Sequence, residues 1–116
     1  MASYATNLVP LAGLTTITAL LDAAPTPANG DDVATGQGVF LFVRNTDAAT
    51  RTITFVTPGL VDGDLPIGDR AGTPVPATTG LAIYPLGDIY RDPATGRGTL
   101  TFSATANLKC IVVRVP

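Results

Sequence analysis

Apart from serine and threonine hydroxyls, the groups in this chain that could transfer a proton, attack an electrophile or ligate a metal come from aspartate, arginine, tyrosine, Lys109 and Cys110. There is no histidine, glutamate or tryptophan. Acid/base catalysis near neutral pH most often uses histidine or a tuned carboxylate, so this inventory removes most catalytic schemes at the outset. The closest approach to a site is Asp62-Gly63-Asp64 with Asp69 nearby, a carboxylate set of the kind that gathers around a hard cation such as calcium. It lacks the positional pattern of an EF-hand loop, and aspartate beside glycine is the usual chemistry of an exposed turn. Asp31-Asp32, following Asn29-Gly30, reads the same way. A glycosidase pair would need one acid raised in a dry cleft, whereas these aspartates lie in Gly/Pro-rich loops.

The other candidates are weaker. Gly36-Gln37-Gly38 and Gly96-Arg97-Gly98 lack the lysine and helix start of a phosphate loop, so they read as turns. Cys110 lies in an apolar run without a histidine and reads as a small buried hydrophobe. Tyr84 and Tyr90 are the rings available to stack on a sugar if the chain is a carbohydrate-binding module. No catalytic residue, metal or cofactor is assigned, and no enzymatic activity is expected.

Composition narrows the class further. At 116 residues the chain is long enough for one core, and with 46% hydrophobic and 14% charged residues it is a folding sequence, not a disordered one. That charge fraction is low for an isolated domain, nearer a quarter in the average case, which suggests that a partner covers part of the surface. The net charge of −2 and the scattered arginines Arg44, Arg51, Arg70, Arg91, Arg97 and Arg114 offer no basic footprint for nucleic acid. A lone cysteine forms no internal disulfide, which fits assembly in a reducing cytoplasm. The apolar stretch over residues 8–21 is broken by Pro10 and Gly13 and has no basic residue ahead of it, so neither a signal peptide nor a membrane span is expected.

The elements that must position any surface are short strands. Val39-Phe40-Leu41-Phe42-Val43 and Arg51-Thr52-Ile53-Thr54-Phe55-Val56 are strand-forming runs, and Asn45-Thr46-Asp47-Ala48-Ala49 between them predicts an antiparallel hairpin. Residues 57–80 are rich in proline and glycine, allowing only edge pieces near Leu65-Pro66-Ile67 and Thr73-Pro74-Val75. Leu81-Ala82-Ile83-Tyr84, with Ile89-Tyr90 as a short continuation, then Thr99 to Ala104 and Leu108 to Val115, complete the set. The expected fold is all-β: an antiparallel β-sandwich or small barrel of seven to eight short strands. Residues 1–37 form an N-terminal arm and loop, and residues 38–116 the body of one domain. A helix over residues 14–23 is disfavoured by its β-branched threonines and isoleucine, and the first ~20 residues are expected to be removable without breaking the core.

Alternation reports which faces are covered. Leu100, Phe102 and Ala104 oppose threonine and serine, and Ile53 and Phe55 oppose Thr52 and Thr54, so those strands are buried on one face. Val39, Leu41 and Val43 alternate instead with Phe40 and Phe42, and Ile111, Val113 and Val115 with Cys110 and Val112. A sandwich strand has one face on the core, so the second face needs the arm, a loop or another subunit. Exposing the two phenylalanines would forfeit about 1.5–3 kcal/mol each. Phe40, Phe42, Cys110 and Val112 are therefore expected under the arm or at a subunit contact. Leu8, Val9, Leu11, Leu14 and Ile17 are the apolar residues with which the arm would make such contacts.

Val56-Thr57-Pro58-Gly59-Leu60-Val61-Asp62-Gly63-Asp64-Leu65, with Val43-Arg44-Asn45-Thr46 and the closing Leu108 to Val115 strand, resembles a family. It is that of the small β-rich proteins encoded beside the major capsid protein in tailed bacteriophages and prophages, especially of actinobacterial hosts. The similarity covers residues 38–115. The resemblance implies a virion structural protein, a capsid decoration or cement protein on the outside of the head. Such a protein is assembled in the host cytoplasm, binds the major capsid protein and is often a homotrimer at local threefold positions. The family brings no catalytic residues. A tail-tube, head-tail connector or fibre subunit is the neighbouring alternative, and an extracellular carbohydrate-binding module the next.

Overall fold

A computed structural model describes residues 2–116. The chain forms an all-β sandwich of two four-stranded sheets, with a separate two-stranded hairpin and one short helix. In chain order these are β1 (Thr6–Leu8), α1 (Ile17–Ala23), β2 (Asp31–Val33), β3 (Val39–Asn45), β4 (Ile53–Phe55), β5 (Leu60–Val61), β6 (Leu65–Pro66), β7 (Arg70–Ala71), β8 (Gly80–Pro85), β9 (Gly98–Phe102) and β10 (Leu108–Arg114). Sheet 1 has the order β1-β10-β3-β8, antiparallel except that β1 joins β10 in parallel, and sheet 2 has the order β2-β9-β4-β7. Strands β5 and β6 make the hairpin.

The core lies between the sheets. Val39, Leu41, Val43, Cys110 and Val112 of sheet 1 meet Val33, Ile53, Phe55, Leu100 and Phe102 of sheet 2. Alternation placed the inward residues of β4 and β9 as the structure has them: Ile53, Phe55, Leu100 and Phe102 are buried, while Thr54, Thr99 and Thr101 are only partly covered.

Several expectations are corrected. Strands β3 and β4 do not pair as a hairpin; they belong to opposite sheets. Buried Asn45 explains the crossing: its Nδ2 donates to Ala49 O at 2.9 Å and Pro76 O at 3.1 Å, and its Oδ1 accepts from Asp47 N–H at 3.0 Å. Those bonds turn the chain out of sheet 1 and hold the segment before β8 against it. Ile89-Tyr90 does not continue β8 but belongs to a single 3-10 turn, Asp88–Tyr90. Gly80 opens β8 where a Cβ would sit 1.8 Å from Pro76 O, a close approach that a larger residue cannot make without moving the backbone.

The N-terminal segment also differs from expectation. Ile17–Ala23 is helical despite its β-branched start, because Ile17, Leu20, Leu21 and Ala24 fall on one side at helical spacing and pack on the outer face of sheet 1. A helix this short is marginal alone, so tertiary burial decides the conformation. The segment is built into the sandwich at further points. Tyr4 is buried in the core, β1 pairs with β10, and Tyr4 N–H donates to Asp32 O at 3.0 Å. Removing it would uncover the core at Tyr4 and the β10 edge that β1 now pairs.

Candidate interaction surface

The second face of sheet 1 is where the doubly apolar strands lead. Phe40 and Phe42 of β3 point outward with Ile111 and Val113 of β10, opposite one another in register as Phe40–Val113 and Phe42–Ile111. Leu21 closes over this patch, with Val9, Leu14, Ile17 and Leu20 around it. Phe40 and Phe42 thus lie beneath the N-terminal segment, one of the two positions expected for them, and each remains partly exposed. Cys110 and Val112 are a correction: both are fully buried between the sheets, and it is Ile111 and Val113 that face α1. The pairing with β3 sets this, since residues directly opposite share a face and Leu41 and Val43, the partners of Val112 and Cys110, point inward.

Two cations tie α1 to the sheet. Arg44 Nη2 lies 2.7 Å from Asp22 Oδ1, and Lys109 Nζ donates to Ala24 O at 3.0 Å, just beyond the C-terminal end of the helix, where positive charge is favoured.

The helix covers β10 and part of β3 but stops short of β8. Leu81 and Ile83, opposite Arg44 and Phe42, are 58% and 57% exposed, and Pro85 beside them is exposed as well. Between α1 and β8 runs an apolar groove of about 440 Å³, lined by Ile17, Leu21, Phe42 and Leu81 with Arg44 and Thr78 at its polar margin. A neighbouring hollow of about 260 Å³ is lined by Val9, Leu14, Phe40, Ile83 and Val115. Of the proposed arm contacts, Val9, Leu14 and Ile17 are spent on the chain's own sheet, whereas Leu8 is exposed and Leu11 is 95% exposed. Leu81 and Ile83 were not among the contact residues read from the sequence. The same signal would have found them, because Leu81 and Ile83 alternate with Ala82 and Tyr84 and leave β8 apolar on both faces.

The chemistry-bearing residues are occupied with structure. Asp31 is fully buried in β2, not in an exposed turn; its carboxylate accepts from Ala2 N–H at 2.6 Å, Ala28 N–H at 2.9 Å and the Tyr4 hydroxyl at 3.0 Å. Arg97 bridges Asp32 and Tyr4 O, which makes Gly96-Arg97-Gly98 a clamp on the N-terminal segment. Burial, helped by the Cys110 and Asp31 charges, holds the Tyr4 phenol well above its ordinary range. Burial, with the Asp31 charge adding to it, pushes the Cys110 thiol up to about 12, far from a reactive thiolate. Tyr84 and Tyr90 are core residues packed on Phe55 at 5.4 and 5.3 Å between ring centroids, and the Tyr84 hydroxyl donates to Thr73 O. Their rings are therefore not presented as a sugar platform.

The carboxylates weighed as a cation site are not gathered. Asp62 and Gly63 form the left-handed tip of the β5–β6 hairpin, whereas Asp69 sits at its base and accepts from Thr57 N–H at 3.0 Å. Among the described residues no three metal-ligating side chains converge, and no helix is long and apolar enough to cross a membrane. No protein-family model, curated protein or solved structure matches this chain.

Proposed function

We propose that this chain is a non-enzymatic virion structural protein of a tailed bacteriophage: a capsid decoration protein that binds the major capsid protein on the head exterior and stabilises contacts between capsid subunits. One observation carries the assembly part of this reading. Apart from Arg44 and Lys109, which are tied to the helix, the outer face of sheet 1 is apolar across β10, β3 and β8, and the chain's own helix covers only part of it, leaving Leu81 and Ile83 in solvent beside half-buried Phe40 and Phe42. Burying such side chains is worth about 1.5–3 kcal/mol each, so a surface of this kind favours a partner. The virion and the capsid come from the resemblance over residues 38–115. The absence of histidine and glutamate, with Cys110 and Tyr4 held in their neutral forms, supports a role without catalysis.

The test is fractionation of purified virions into heads and tails, followed by release of the chain with mild denaturant and its re-addition to stripped heads. The expected outcome is that the chain is found with heads and that re-addition raises the temperature at which they rupture. Recovery with tails alone would replace this reading with the tail-tube or connector alternative.

A further inference from the structure

The backbone of β8 says how its exposed face is completed. Leu86 N–H donates to Val39 O at 2.9 Å, and the ladder continues with Tyr84 opposite Leu41 and Ala82 opposite Val43. In an antiparallel pair, residues alternate between those that exchange hydrogen bonds across the ladder and those whose N–H and C=O point away. Tyr84 and Ala82, in step with Leu86, bond to β3. Leu81 and Ile83, out of step, direct their backbone groups out of the sheet. β8 is the last strand of sheet 1, and among the described residues no other segment bonds to the Leu81 or Ile83 backbone. The same two residues thus combine an exposed apolar side chain with a backbone to which no other described segment bonds.

Sheet edges are normally guarded by charge, proline, shortness, a bulge or a covering segment. Residues 71–87 carry no charge at all, and the nearest cation in register, Arg44, is already paired with Asp22. The free run is short, closed by Pro85, which has no donor, and by Thr78, whose left-handed backbone (φ 71) turns the chain away.

We infer that the occupant of this edge is a second copy of the chain, whose β8 runs antiparallel to the first about a two-fold axis. With Leu81 opposite Ile83 of the second copy, each outward N–H of these residues meets a carbonyl. The two sheets become one, and the four exposed side chains meet on one face next to Phe40 and Phe42. A neutral, apolar edge suits this occupant because two copies of net charge −2 meet there without like charges opposing each other. A partner selected by charge would find nothing on β8 to recognise. The inference builds on the assembly reading above, naming one partner of the same surface. It is tested on purified chain, so it can fail while binding to heads stands, and the reverse.

Sedimentation equilibrium over micromolar concentrations, combined with residue-resolved amide hydrogen exchange, tests it. The expected mass is twice the 11.8 kDa of one chain. The Leu81 and Ile83 amides are expected to exchange at least about tenfold faster on dilution, while Ala82 and Tyr84, bonded to β3, do not change. Ile83→Pro removes an outward donor and no bond to β3, and Ile83→Lys places charge on the edge; both are expected to abolish the dimer with near-UV circular dichroism preserved. A monomer throughout, a trimer, rapid exchange at Leu81 and Ile83 in the dimer, or a dimer indifferent to both variants would overturn the inference.

Discussion

Arg44 and Lys109 stand directly opposite each other across the β3–β10 ladder, and both reach to α1, one to the Asp22 carboxylate and the other to the Ala24 carbonyl. Two like charges side by side on a sheet repel. Here each has its own acceptor on the segment above, so the pair fastens the helix to the sheet. The ion pair directs the docking, but apolar burial supplies its strength. Leu21→Ala is expected to cost about 2–5 kcal/mol in urea denaturation, because it opens a cavity over Ile111 and Val113. Asp22→Asn, at an exposed pair, is expected to cost at most about 1 kcal/mol. A larger loss from Asp22→Asn than from Leu21→Ala would contradict this division.

Gly80, which opens β8, and Gly87, which follows it, make a matched pair. An alanine Cβ at Gly80 meets the Pro76 backbone, whereas at Gly87 nothing lies within 4 Å. Gly80→Ala is expected to destabilise by about 1–3 kcal/mol or more, and Gly87→Ala to change stability by less than about 0.5 kcal/mol. Equal midpoints in a thermal melt of the two variants would show that the approach of residues 76 and 80 is misdescribed.

The buried Asp31 cluster anchors the start of the chain. Tyr4→Phe deletes one donor to a buried carboxylate and is expected to cost about 1–3 kcal/mol by equilibrium denaturation. Its amide-exchange signature should be local, with faster exchange at Tyr4, whose N–H bonds to Asp32 O. A wild-type melt for Tyr4→Phe would mean the N-terminal segment is held by other contacts.

Alkaline pH should unfold the protein through its neutral core acids. The Cys110 thiol is raised from 9.0 to about 12 and the Tyr4 and Tyr84 phenols are raised from 10.0, in each case chiefly by burial. A raised folded-state pKa contributes stability that is whole below the unfolded value and is lost as pH climbs toward the folded one. Stability is therefore expected to fall from about pH 9 upward, with the thiol's share lost by about pH 12. Cys110→Ala should flatten that slope, and a thiol reagent at pH 8 should label Cys110 only on unfolding. Rapid labelling of the folded protein would place the thiol at the surface.

Much of this architecture was legible in the residues, and the misses have particular causes. The threonine alternation of β4 and β9 told inside from outside because it contrasts polar with apolar. In β10, Cys110, Ile111, Val112 and Val113 offer no such contrast, so the period says that both faces are covered but not which residue takes which; only the pairing with β3 decides. The helix was hidden because Thr15, Thr16, Ile17 and Thr18 favour extended backbone locally, whereas the stabilising contacts, with Ile111 and Val113, come from the far end of the chain. The crossing from β3 to β4 depends on Asn45 reaching Pro76, and the burial of Asp31 on Tyr4 reaching back to it. No local pattern encodes either.

The claim on which the functional account turns is that the uncovered β8 side of sheet 1 is where this protein meets its assembly. Binding of wild-type, Leu81→Asp and Ile83→Asp proteins to heads stripped of the native chain, read by co-sedimentation at equal protein concentration, tests it most directly. The account predicts saturable binding of the wild type and at least about tenfold weaker binding of both folded variants. Wild-type protein that stays in the supernatant, or variants that bind as well as the wild type, would contradict it.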